Sequence, residues 1–161
     1  MEGSHVSATK LGAQGVKQNK RHIMAFFDSK GIVHHEYAPN GQTINKEFYV
    51  EVLQRFRVSF RRKRPEKWHD GDWIQHHDSV PAHISHLLRQ FMAKHGIVQL
   101  QQWPYSPDLA PCDFFLFPRF KKVPNGHRFE ATEDINRNST KTHLDIPKEE
   151  FAKCFQAWQK R

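Results

Sequence analysis

Cysteine is scarce in this chain of 161 residues: Cys112 and Cys154 are the only two, and they form no C-x-x-C pair. That gives no disulfide framework and suits a reducing intracellular compartment. Long apolar runs are lacking as well. None approaches the ~20 residues that span a bilayer as a helix, so no membrane partner is expected. Met1 to Lys20 has no apolar centre of the kind a signal peptide needs. No glycine-rich phosphate loop occurs, and no Ser/His/Asp or Cys/His nucleophile set has a sequence signature. Acidic residues are few, 17 against 25 Lys and Arg, for a net charge of +8 and a pI near 9.7. The shortage is sharpest at the start, where Glu2 is the only acid before Ile23. A basic balance of this size favours a polyanionic partner, of which nucleic acid is the commonest.

What is present is an ordinary folding composition. The charged fraction of 26% and aromatic fraction of 12% are those of a globular domain. Residues 1–20 are rich in Gly, Ser, Ala, Gln and Lys without periodicity and read as a flexible lead-in. Residues 21–161 read as one domain. Ile23 to Phe27 is a continuous apolar run, Asp28 to Gly31 a turn, and Ile32 to Tyr37 a second strand, together a hairpin whose first strand is buried on both faces. Asn45 can cap a helix in which Phe48, Tyr49, Val52, Leu53, Phe56 and Phe60 share one face. That helix ends in Arg61, Arg62, Lys63 and Arg64 before Pro65. A strand is expected over 73–78. A helix follows from Pro81, with Ile84, Leu87, Leu88, Phe91 and Met92 on its inner face and Gly96 at its end. Ile97 to Leu100 is a short strand, and 114–120 a short or bent helix because Pro118 interrupts it. An uncertain helix starts at Thr132, and Pro147 opens a last one with Phe151, Phe155 and Trp158 on one stripe. Strands alternating with helices in this order indicate an α/β layer fold.

Two aspartates stand out. Asp78 closes the strand at 73–78, and Asp113 follows a loop stiffened by Pro104, Pro107 and Pro111, with residues 79–112 between the two acids. Carboxylates delivered from separate elements can bind a divalent metal ion through hard oxygen ligands. Each alone is as readily a residue that starts a helix. The histidines offer a rival centre, with His76-His77 and His83-x-x-His86 close to one another and Cys112 available if the fold brings it near. Arg61 to Arg64 can be a phosphate-binding or nuclear-localisation patch, or simply a solvated helix end that suits the macrodipole.

At these aspartates the chain resembles the catalytic domain of mariner-type DNA transposases. The residues that carry the resemblance are Phe26 to Glu36, Gln42 to Asn45, His76-His77-Asp78 with Pro81-Ala82-His83, and the block Pro104 to Phe117 ending in Cys112-Asp113-Phe114-Phe115. Gly126 to Phe129 and Ile146 to Phe151 add to it. The gap of 34 residues between Asp78 and Asp113 is the family's spacing.

The resemblance implies a ribonuclease-H-like fold, a mixed five-stranded sheet flanked by helices. It implies three aspartates holding two Mg²⁺ or Mn²⁺ ions for in-line attack on a DNA phosphodiester. Asp78 matches the second of these acids and Asp113 the third. The first belongs to a strand upstream of the hairpin, where this chain has neither a legible strand nor an acid apart from Glu2. Asp28 sits in a turn that favours aspartate and is not promoted to the vacant place. Ser79, Val80 and Trp103 also depart from the family pattern, and 136–145 matches poorly. No helix-turn-helix region precedes the domain, and the family's extension past the last helix is missing. The expectation is a truncated remnant that lacks the first strand, acts on DNA in the nucleus if at all, and is inactive alone. The alternative is a non-catalytic nucleic-acid-binding module using Arg61, Arg62, Lys63 and Arg64. A sheet edge bared by the missing strand would favour pairing with another chain, as in a homodimer.

Overall fold

Five strands form one mixed sheet in the order β3-β2-β1-β4-β5, with β1 in the middle. The computed structural model describes residues 4–12, 22–39, 45–71, 73–77, 85–101, 111–116 and 146–160. The strands are β1 (Ser4–Gly12), β2 (His22–Asp28), β3 (Gly31–Tyr37), β4 (Trp73–His77) and β5 (Val98–Gln101). β1 runs antiparallel to β2 and parallel to β4. The β2–β3 hairpin is antiparallel, and β4–β5 is parallel. Gly31 makes the hairpin turn with φ of 124°, a conformation that side chains disfavour.

Helices cover both faces. α1 (Lys46–Lys63) is capped by Asn45, whose side-chain oxygen accepts from the Phe48 N–H at 2.8 Å. α2 (Pro65–Asp70) follows after one residue, with proline in its first turn and Gly71 closing it at φ 66°. α3 (His86–Lys94) is capped by the Ser85 hydroxyl and closed by Gly96 at φ 64°. α4 (Lys148–Gln159) starts behind Pro147 with Glu149 and Glu150 in its first turn, where they complement the helix dipole.

Two cores result, one on each face of the sheet. On the first, Phe48, Tyr49, Val52, Leu53, Phe56 and Phe60 of α1 pack with Leu88, Phe91 and Met92 of α3 over Met24, Phe26, Val33 and Trp73. The Phe26 ring stacks on Phe56 with centroids 4.4 Å apart. On the second face, Phe151, Cys154 and Phe155 of α4 pack with Phe115 and Leu116 over Ala25 and Phe27. Alternate residues of β2 thus feed opposite cores, which is why its run reads as continuously apolar. Each fully buried aromatic or aliphatic side chain contributes roughly 1.5–3 kcal/mol.

Most expected elements are present, with corrections. The chain does not lack the first strand: Ser4–Gly12, expected as part of a flexible lead-in, is the central strand. Its sequence carries only Val6 and Leu11 as large apolar residues, so it shows no strand pattern. Pairing on both sides, rather than local preference, makes it a strand. The short helix α2 was not anticipated. The segment expected over 114–120 as a bent helix is a π-helical turn, Cys112–Leu116. The start of the helix from Pro81, the helix from Thr132 and the proline-rich loop 104–110 lie outside the described residues.

Candidate metal centre and nucleic-acid interface

The parallel pair β1–β4 sets the geometry of the first candidate site. Its last registered partners are Ala8 and His77. Asp78, the next residue in the chain, lies outside the described residues. Asp113 lies in the π-helical turn Cys112–Leu116, which packs against β1. The position of the Asp113 side chain is outside what the structure describes. The turn is fixed to the second face of the sheet by Leu116 and by Phe115, whose ring meets Phe27 at 6.2 Å. β1 therefore borders both β4 and the turn that carries Asp113. His76, on the same face, is buried against the Trp158 ring of α4 at 5.1 Å.

The two acids of the hairpin are already held. Asp28 is fully buried. Its Oδ1 accepts from the Lys30 N–H at 2.9 Å and from Arg64 Nη2 at 3.0 Å. Its Oδ2 accepts from Arg64 Nε at 2.8 Å and from Lys67 Nζ at 3.2 Å. Burial pushes its pKa up, but the Arg64 hydrogen bond and the charges of Lys67 and Arg64 outweigh that and leave it below the ordinary carboxylate value. Glu36 accepts from Arg55 at 2.6 Å and meets His34 Nε2 at 2.7 Å, while His34 Nδ1 meets the Ser59 hydroxyl at 2.9 Å. Burial alone would raise the Glu36 pKa; the hydrogen bonds from His34 and Arg55 bring it down to about 2. Both acids are structural ion-pair partners, so neither is a spare metal ligand.

A pair of divalent cations wants several carboxylates. The strand between the acid-bearing segments, Ser-His-Val-Ser-Ala-Thr-Lys-Leu-Gly, supplies none. Among the described residues no group of three His, Cys, Asp or Glu side chains could hold a metal ion. The described residues therefore do not by themselves make up a two-ion centre. The rival histidine site is only partly within reach: His86 is exposed on α3, and His83 lies outside the described residues.

The second candidate site is the end of α1. Arg61, Arg62 and Lys63 are exposed there, whereas Arg64 is mostly buried on Asp28. Burial, and then the charges of Arg62 and Arg64, lower the Lys63 pKa. Sequence reasoning treated the four as equivalent. The structure separates three solvent-facing cations from one that fastens α1 to the hairpin turn. Lys67 escaped notice for want of any pattern, and it is the second cation on Asp28. No described helix is long and apolar enough to cross a membrane.

Residues 5–70 match a family model described as transposase, partial DDE domain. The match begins inside β1 and ends before Asp78, so it includes the central strand and neither candidate acid. Over 121 residues, 73% of this chain, the sequence is 29% identical to the Mariner Mos1 transposase of Drosophila mauritiana. The chain is similar in sequence to a mariner transposase. It spans 34% of the length of the Mos1 protein. It is also 24% identical over 112 residues to the human protein named histone-lysine N-methyltransferase SETMAR, of which it spans 16%. In fold it follows the Mos1 transposase catalytic domain solved with raltegravir and Mg, at a TM-score of 0.90 and 24% identity over 97% of this chain and 78% of that one. A Mos1 paired-end complex with Mn matches at a TM-score of 0.90 and 21% identity, over 98% of this chain and 53% of that one. The α/β, ribonuclease-H-like sheet with helices on both faces is thus the mariner catalytic fold, and the relatives' structures contain Mg or Mn.

Proposed function

We propose that this chain is a derivative of a transposase catalytic domain that binds DNA in the nucleus and neither cuts nor joins it alone. One observation carries the reading: the central strand of the described five-stranded sheet contains no carboxylate. In-line attack on a phosphodiester needs both the attacking and the leaving oxygen to be stabilised, and a depleted ligand set weakens that clamp. Asp78 and Asp113 are the acids this reading assigns to metal binding. The Mg or Mn in Mos1 structures supports the choice of ion, and the Mos1 paired-end complexes, one with a transposon end, support DNA as the partner; a homodimer is part of the same proposal. The test is incubation of the full chain with supercoiled and linear duplex DNA in Mn²⁺. Intact DNA is the expected result. Nicking that disappears in Asp78→Ala overturns the reading.

A second reading, a non-catalytic nucleic-acid-binding module, rests on Arg61, Arg62 and Lys63 standing exposed together at one helix end. It predicts binding that falls steeply with salt and survives Asp78→Ala.

A further inference from the structure

We propose that Ser59 is a nucleophile activated by His34 and Glu36, and that it takes the acyl group of a short, activated carboxylic ester. The site needs neither metal nor DNA. It lies where the edge strand β3 packs on α1, just before the basic end of that helix. His34 and Glu36 are two apart on β3 and share a strand face. Arg55 and Ser59 are four apart on α1 and share a helix face. Three observations build the site. First, the groups form one relay. The Ser59 hydroxyl is 2.9 Å from His34 Nδ1, and His34 Nε2 is 2.7 Å from Glu36 Oε2. A hydroxyl in reach of a base that a third group orients is the arrangement of an activated nucleophile. Second, the protons have a fixed direction. Glu36 is ionised, its pKa brought down to about 2, so it only accepts, and the His34 Nε2–H donates to it. In the neutral ring the Nδ1 lone pair is then left to accept from the Ser59 O–H. Arg55 donates to both Glu36 oxygens and holds the carboxylate in place. Third, the relay is open to a small reagent. The His34 and Glu36 side chains keep 15% and 18% of their exposure, and Ser59 is partly exposed.

The step balances. Ser59 Oγ bonds to the carbonyl carbon, its proton passes to His34 Nδ1, and Glu36 stabilises the imidazolium that forms. The bond from that carbon to the leaving phenol or alcohol oxygen breaks, and the leaving group takes the proton from His34. Water then cleaves the acyl-serine, with His34 again as base. Arg62 and Lys63, three and four residues further along α1, share the helix face of Ser59. They supply the positive charge that a developing oxyanion needs.

The test is incubation of the full chain with p-nitrophenyl acetate in EDTA. It is read by p-nitrophenolate release and by peptide mass spectrometry of the acetyl adduct. Ser59 is expected to acetylate about tenfold faster, or more, than Ser85, whose hydroxyl caps α3. His34→Gln should erase that lead, and imidazole added to His34→Ala should restore part of it. Glu36 acts through the His34 ring and is a positioning residue. Glu36→Gln should slow the labelling of Ser59 and change its pH profile, which a loss of stability alone would not do. No Ser59 adduct on the native chain near neutral pH overturns the assignment, a result needing no variant to fold. So does p-nitrophenolate release accounted for by lysine adducts alone, or Ser59 labelling at an unchanged rate in a His34→Gln chain that melts cooperatively.

Discussion

Replacing Arg64 with alanine should unfold this protein more easily while leaving most of its DNA affinity intact. Asp28 is completely buried, and Arg64 reaches it with two hydrogen bonds of 2.8 and 3.0 Å. Removing one partner of a buried ion pair costs about 3–5 kcal/mol, because the other charge is left desolvated. Here Lys67 Nζ at 3.2 Å and the Lys30 N–H at 2.9 Å remain, so the lower end, about 3 kcal/mol, is expected. With a urea m-value of about 2 kcal/mol per molar, the midpoint should fall by about 1.5 M. The sign of the pH dependence follows from the depressed pKa. The stabilisation is fully present above the unfolded carboxylate value of 3.8 and is lost as pH falls through the lower folded value. The deficit of the variant should therefore be largest near neutrality and shrink in strong acid. Urea melts at several pH values, read by circular dichroism, make the measurement. Asp28→Asn should lose a similar amount, and the double variant should lose less than the two single losses combined. A midpoint within 0.2 M of the parent, roughly 0.4 kcal/mol on the same m-value, would refute the claim that Asp28 is an ionised, buried anchor.

Two more expectations follow from the same geometry. Glu36, brought down to about 2 from 4.5, contributes stability present above 4.5 and lost as pH falls towards 2. Glu36→Gln should flatten that part of the acid-unfolding profile, by about 1 kcal/mol because Arg55 is half exposed and screened; an unchanged profile would count against the Glu36–Arg55–His34 network. Changing Arg61, Arg62 and Lys63 together to alanine should reduce the log-log salt slope of duplex binding by about 2.7, at roughly 0.9 per phosphate contact. Arg64→Ala should change that slope by well under one; an equal effect would mean that Arg64 leaves Asp28 to meet DNA.

How much of this was readable from residues alone depends on what held each element. α1 was legible because six apolar residues at helical spacing, an Asn cap and a basic end all agree, and all six are buried. The hairpin was legible because β2 feeds two cores and leaves no polar residue between Ile23 and Phe27. β1 was not. Its residues are mostly small or polar, and only pairing with β2 on one side and β4 on the other holds them. The role of Arg64 was hidden for a similar reason. Its partner, Asp28, is 36 residues away, and a run of four cations gives no sign of which one turns inward. Gln75 illustrates the same limit. It is fully buried in β4 opposite Gln99 of β5, and its amide finds no hydrogen-bond partner among the described residues. Nothing in the run Trp73 to His77 marks it. Of the two acids read from spacing, Asp78 lies outside the described residues, and Asp113 is described only as part of the turn Cys112–Leu116, which packs against β1.

The sheet order also bears on where synthesis of such a chain could begin. In many domains a few dozen N-terminal residues can be dispensed with. Here, among the described strands, β1 alone joins an antiparallel half, β2 with β3, to a parallel half, β4 with β5. Translation initiated internally at Met24 would start within β2 and yield two half-sheets with facing unpaired edges. Such a product could close the gap only by borrowing a strand from another molecule, so the choice of start codon would separate a folding chain from an aggregating one.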